Sequence, residues 1–188
     1  MILENNGRLT PAAQVVLAAV SGVPRSLIRP VRVLPQGMNW LHFPWHSRRS
    51  GGGAFVMGDR IYASTHFFEP AHRSGLPFIL LLAHEVGHLP HAARFGSHAV
   101  GRGRFVVWAM GHYAVSYARH GKEGHRNARI EQEAERGRWV LRKALECTPN
   151  DPISMAMLNG TSATAWIERH ATLIAQLHRD YPGWKELC

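Results

Sequence analysis

Apolar runs with helical character alternate along this chain with short segments broken by proline and glycine. Thr10 followed by Pro11 has the form of a helix N-cap with proline in the first turn, and the run Ala12 to Ala19 predicts a short apolar helix ending near Gly22-Val23-Pro24. Residues 24 to 53 change character. Pro24, Pro30, Pro35 and Pro44 and the stretch Ser50-Gly51-Gly52-Gly53 are interleaved with Trp40, Phe43 and Trp45, which predicts short extended segments and loops. Ala54-Phe55-Val56-Met57 and Arg60-Ile61-Tyr62-Ala63 flank Gly58-Asp59, the spacing of two strands joined by a tight hairpin, and predict a small antiparallel sheet.

From Phe78 to Ala83 the residues are Phe-Ile-Leu-Leu-Leu-Ala, uncharged and preceded by Gly75 and Pro77, which predicts the opening of a buried helix. Pro90 predicts its end or a kink, and Gly96, Gly101 and Gly103 predict a loop after it. Phe105 to Ala118 reads as a second apolar helix despite Gly111. Arg126 to Leu145 reads as a long polar helix with apolar positions at Ile130, Ala134, Val140, Leu141 and Leu145, and Thr161 to Arg179 as a last helix closed by Pro182-Gly183. The expected class is α+β, mainly α, with a small N-terminal antiparallel sheet.

At 188 residues with 45% hydrophobic content, the chain suffices for one sizeable core, so residues 1 to 188 read as one domain. Lys and Arg number 22 against 13 Asp and Glu, a formal net charge of +9 that favours anionic partners. The charge comes mostly from scattered arginines such as Arg94, Arg119 and Arg142, not from one Lys/Arg block, and no nucleic-acid motif with its own spacing accompanies it, so no specific nucleic-acid partner is expected. Cys147 and Cys188 lie far apart and form neither a metal motif nor a disulfide framework. The apolar run Val15 to Val20 lacks a basic segment before it, and no stretch reaches the ~18 apolar residues of a membrane span. Neither a signal peptide nor a membrane span is expected.

Against this background His84-Glu85-Val86-Gly87-His88 is the segment with chemistry in it, an H-E-x-x-H pentapeptide. Residues four apart on a helix are rotated by about 400°, so both imidazoles leave one face a turn apart and can converge on one zinc ion. Glu85 then stands beside the metal, where a carboxylate can act as general base toward water. With 13 histidines in the chain, chance placement gives such a pentapeptide with a probability of roughly 0.05. Its place at the end of an apolar helix argues further, because two histidines and a glutamate are costly to bury unless ligated or hydrogen-bonded.

A catalytic zinc takes three protein ligands and keeps a fourth position open. The metzincin pattern requires Gly at 91 and His at 94, where this chain has His91 and Arg94, and an aspzincin signature fails because Gly160-Thr161 is followed by Ser162 and Ala163. The best remaining source is Glu131-Gln132-Glu133-Ala134-Glu135. Glu131 and Glu135 share a helix face, whereas Glu133 is rotated by about 200° from Glu131. The competing reading is a solvated acidic face paired with Arg129, Arg136 and Arg138.

In its H-E-x-x-H and downstream E-x-x-x-E steps the chain resembles gluzincins. That resemblance implies Glu131 as third zinc ligand, after His84 and His88, and Glu135 as support for a ligand histidine. Over roughly residues 54 to 140, the succession of Gly58-Asp59-Arg60-Ile61-Tyr62, Leu80 to Glu85 and Glu131 to Glu135 is similar to zincin domains of bacterial injection-system cargo and type VI secretion effectors. Those families commonly carry E-x-E-A-D, so Glu135 in place of aspartate is a departure that bears on the supporting carboxylate more than on the ligand. The resemblance implies a zincin-like core over about residues 54 to 147 and a toxin or effector delivered by a specialised secretion system, with the periplasm as one target compartment and a cognate immunity protein as one partner.

The expected function is a zinc metallopeptidase hydrolysing amide bonds of a protein or cell-wall peptide, with Glu85 as the catalytic residue. The hairpin around Gly58-Asp59 offers an edge strand for an extended substrate. Between the two motif halves lie His91, His98, His112, Tyr113, Tyr117, His120 and His125, where zincins often place an oxyanion donor; Tyr113 and His120 are the foremost candidates. The alternatives are a peptidoglycan amide hydrolase, whose polyanionic substrate would match the charge, and a non-catalytic zinc-bearing binding module, which would need no base at position 85.

Overall fold

A computed structural model describes residues 2–36, 53–69, 72, 75–151 and 160–183. Helix α1 (Pro11–Ser21) begins as its cap predicts: the Thr10 side chain accepts the Ala13 N–H at 3.3 Å, and Gly22 in the left-handed region closes the helix. Its Ala13, Val16, Leu17 and Val20 are fully buried. A helix this apolar belongs inside. It packs against helices that follow much later in the chain, α3 (Leu76–Gly87), α7 (Arg129–Cys147), α8 (Gly160–Arg169) and α9 (Ala171–Asp180). The short α2 (Arg25–Ile28) leads from α1 to the sheet, and the short α6 (Gly124–Asn127) leads into α7.

The sheet has three strands in the order β1-β3-β2, formed by Arg32–Pro35 (β1), Ala54–Met57 (β2) and Arg60–Ala63 (β3). The hairpin is antiparallel, with Val56 opposite Ile61, and Gly58 turns it at a φ of 66° that a side chain would resist. The expectation of a purely antiparallel sheet is corrected by β1, which lies parallel to β3 with Val33 opposite Ile61. That third strand comes from the segment read as extended pieces and loops. A parallel partner gives no local hairpin signal, because its connection is long. Trp40, Phe43, Pro44, Trp45, Ser50 to Gly52 and Cys188 lie outside the described residues, and Cys147 is an exposed free thiol.

Two further boundaries differ from expectation. Gly101 and Gly103 belong to helix α5 (Ala99–His120) and not to a loop. A side chain on Gly101 would collide with the Phe95 and Gly96 carbonyls, so glycine lets the helix start against the preceding turn. The last helical stretch is broken at His170 into α8 and α9; His170 Nε2 lies 3.0 Å from Asp151 Oδ2, and the buried Trp166 donates to the Asp151 carbonyl at 2.9 Å. Helix α5 is apolar in composition yet mostly solvent-facing, with Val100, Val107, Met110, Val115 and Tyr117 exposed. Among the described residues no helix is long and apolar enough to cross a membrane.

Candidate metal centre

The centre is made by two helices that cross with almost no side chains between them. Gly87 of α3 faces the Ala134 backbone of α7, where an added Cβ would sit 2.5 Å from the Ala134 Cα; Gly137 of α7 faces the Ala83 carbonyl of α3 as closely. Glycine or alanine at these four positions brings the backbones near enough for acidic side chains of one helix to reach the imidazoles of the other. Ile130, Ala134, Val140 and Leu141 bury the same side of α7. Helix α3 ends at Gly87, His88 caps it with its N–H on the Glu85 carbonyl at 3.1 Å, and Pro90 falls in the first turn of α4 (Leu89–Ala93), where its missing N–H breaks no bond.

His84, His88 and Glu131 converge there, with one donor atom from each within 4.8 Å of the others. Glu131 Oε2 lies 3.2 Å from His84 Nε2, and Oε1 lies 3.5 Å from His88 Nε2. On its other ring nitrogen, His84 Nδ1 meets Glu135 Oε2 at 2.9 Å, and Glu135 is itself held by Arg138, whose Nε donates at 2.8 Å. Glu131 is 2% exposed and Glu135 5%. Glu133 lies 39% exposed on another face, paired with Arg129 at 2.6 Å and with His91 at 3.0 Å. The acidic stretch therefore divides by helix face, and of the three arginines only Arg129 serves the solvated reading, since Arg138 is drawn into the centre and Arg136 lies over the Tyr181 ring.

The electrostatics follow from burial and from this convergence. Burial opposes charge on His84, but Glu131 and Glu135 outweigh it and raise the imidazole to about 9. Burial lowers His88 to about 4, against the pull of Glu131. For Glu131 burial acts upward, yet His88 and His84 hold it well below the usual carboxylate range. Burial pushes the Glu85 carboxyl up to about 7, with His84 acting downward and Glu131 upward.

A divalent ion fits these residues on a specific observation. With its Nδ1 proton given to Glu135, a neutral His84 turns the Nε2 lone pair toward Glu131 Oε2 at 3.2 Å. Two lone pairs at that distance need a cation between them: a proton in the metal-free chain, a metal otherwise. Buried Glu85 Oε2 lacks a hydrogen-bond partner among the described residues.

A cleft of about 690 Å³ opens beside this group, walled by Ala54, Phe55 and Val56 of β2, Leu81 of α3, and Phe105, Val106 and Met110 of α5. Tyr113 reaches into it from α5 and donates its hydroxyl to Glu131 Oε1; the His125 ring stacks on Tyr113 at 5.4 Å. Burial, then the charge of Glu131, pushes the Tyr113 phenol up. His120 is exposed at the end of α5, and Tyr117 lines the cleft while remaining half exposed. Residue-by-residue reading missed Arg138, Gly87 and Gly137. The small residues at 83, 87, 134 and 137, spaced by three or four on each helix, were the available signal.

Compared with known protein families, curated proteins and solved structures, the chain matches none.

Proposed function

We propose that this chain is a zinc metallopeptidase of zincin type, in which His84, His88 and Glu131 hold the metal and Glu85 is the general base. The observation that carries the reading is the buried convergence of two imidazoles and a carboxylate at the floor of an apolar cleft, beside a second carboxylate with an unpartnered oxygen. A structural metal site has no use for that second carboxylate.

When bound, the metal supplies a Lewis acid that polarises an amide carbonyl and eases the deprotonation of water. The chain's own residues do the rest. Glu85 takes a proton from the attacking water as its oxygen bonds to the carbonyl carbon, then delivers that proton to the amide nitrogen as the C–N bond breaks. Tyr113, which lines the cleft and donates to Glu131 Oε1, exchanges that bond for one to the carbonyl oxygen as charge develops on it, with His125 stacked on the ring. Glu135, anchored by Arg138, keeps the His84 Nδ1 proton in place and so fixes which nitrogen faces the centre. Among the described residues strand β2 is an edge of the sheet, and it lines the cleft, which suits an extended peptide pairing along it. The apolar walls favour a peptide with apolar side chains over polyanionic cell-wall polymer, despite the net charge of +9.

The biological setting we propose, on the sequence resemblance, is an effector delivered by a secretion apparatus, countered by an immunity protein. Metal analysis and peptide-library hydrolysis with the wild type and Glu85→Gln test the chemistry: Glu85→Gln should keep its metal and lose hydrolysis. A Glu85→Gln chain as active as wild type, or a wild type that holds no metal, overturns the reading. Expression with and without an export signal then locates the substrate by where toxicity depends on Glu85.

A further inference from the structure

A second group with the same donor types lies on the connection from β3 to α3. In His66-Phe67-Phe68-Glu69-Pro70-Ala71-His72, two imidazoles and a carboxylate are spaced by three. Thr65–Phe68 is a turn of 3₁₀-helix. Beyond it the Glu69 N–H bonds the His66 carbonyl at 3.3 Å, the His72 N–H bonds the Glu69 carbonyl at 2.9 Å, and the Gly75 N–H bonds the His72 carbonyl at 3.1 Å. The 3₁₀ turn stops at Glu69, whose backbone is extended, and the bond from the His72 N–H to the Glu69 carbonyl goes with a return of His72 toward His66.

The side chains show the result. His66 Nδ1 lies 3.8 Å from Glu69 Oε2, the His66 and His72 rings lie 3.8 Å apart between centroids, and one donor atom from each of the three residues is within 4.8 Å of the others. Phe67 and Phe68 take the opposite side, where both meet Phe78 in the first turn of α3, at 5.1 Å and 6.2 Å between centroids. The turn is thereby pinned by its aromatic side and presents its ligating side to solvent; the His66 and Glu69 side chains are 43% and 62% exposed.

We propose that His66, Glu69 and His72 form a second divalent-metal site that takes a borderline ion, zinc or copper(II), and ties down the connection leading into α3. Two neutral imidazoles and one carboxylate are the donor set such ions prefer, whereas calcium and magnesium demand oxygen ligands. Water fills the remaining positions, and neither a burial penalty nor a close carboxylate like Glu135 presses the ligands into one geometry. The site therefore binds more weakly than the buried centre and exchanges faster. Filled, it links residues 66 and 72 and stiffens the chain immediately before the helix that carries His84 and His88.

The test is a zinc titration of the full chain at neutral pH, followed by calorimetry and equilibrium dialysis. The expected wild-type result is two classes of zinc, one tight and one weaker. His66→Ala/His72→Ala should lose the weaker class and keep the tight one, and Glu69→Gln should weaken it about tenfold or more. His84→Ala/His88→Ala should lose only the tight class, and in that variant added zinc should still raise the melting temperature. The surface pair His98→Ala/His120→Ala should retain both classes. A wild type whose only class is lost in His84→Ala/His88→Ala, or a weaker class that survives in His66→Ala/His72→Ala, overturns the proposal. Loss of the weaker class from His98→Ala/His120→Ala as well would reduce it to adventitious binding by scattered imidazoles. None of these outcomes depends on hydrolysis, so the second site and the peptidase reading fail separately.

Discussion

His84, His88 and Glu131 come from two helices far apart in the chain, while His66, Glu69 and His72 come from one pair of turns; each group offers two imidazoles and one carboxylate. The buried group is backed by Glu135 and Arg138, and a further carboxylate, Glu85, stands in the same cleft. The surface group has solvent instead. Burial shifts the pKa values of His84, Glu85, His88 and Glu131 in ways that solvent would dissipate. Donor identity thus sets which ions can bind, and surroundings set whether binding leads to chemistry.

The largest effect that would sharpen this contrast is on turnover. Glu85→Gln should reduce peptide hydrolysis by about 10²–10⁴-fold with metal content unchanged. No substitution in the surface group should alter kcat comparably, and a His66→Ala/His72→Ala chain as inactive as Glu85→Gln would erase the distinction.

Metal affinity gives the next contrast. Glu131→Ala should cost the buried centre the most, Glu135→Ala about 10–100-fold, and Glu133→Ala almost nothing, because Glu133 pairs with Arg129 and His91 on another face. A titration in which Glu133→Ala proved worst would move the ligand by two residues.

The pH dependence follows from His84. In the metal-free chain it is raised to about 9, so at neutral pH it is protonated and a metal must displace that proton. Tight-class affinity should therefore climb by about tenfold per pH unit between pH 8 and 9, with close to one proton released per ion from His84, and somewhat more steeply near pH 7, where Glu85, raised to about 7, gives up a further fraction. Proton release read in two buffers of different ionisation enthalpy checks this, and a flat profile would contradict it. The same titration on His84→Ala/His88→Ala isolates the surface group.

The smallest expected effect is structural. Gly137→Ala places a methyl against the Ala83 carbonyl and should push α7 off α3, lowering stability by about 1–3 kcal/mol and weakening only the tight class. Gly111→Ala, where an added Cβ meets nothing within 4 Å, is the matched control and should leave the melting temperature unchanged or slightly higher. Equal losses from both would mean that the close crossing is not what sets the centre.

By itself the sequence determined what is local or periodic. The Thr10-Pro11 cap, the Gly58-Asp59 hairpin, the end of α3 before Pro90 and the one-face pairing of Glu131 with Glu135 all depend on neighbours within a few residues, and the structure has each of them. Tertiary structure decided what depends on distant partners. It made Arg32–Pro35 a parallel strand, left the apolar α5 largely in solvent, and broke the last helix at His170 beside Asp151. It also put Tyr113 into the cleft while leaving His120 at the surface, and drew Arg138 onto Glu135. The physical reason is that periodicity says which side chains share a face but not which face meets which. Here that was settled by Gly87 against Ala134 and Gly137 against Ala83, a backbone contact whose closeness only the packed helices reveal.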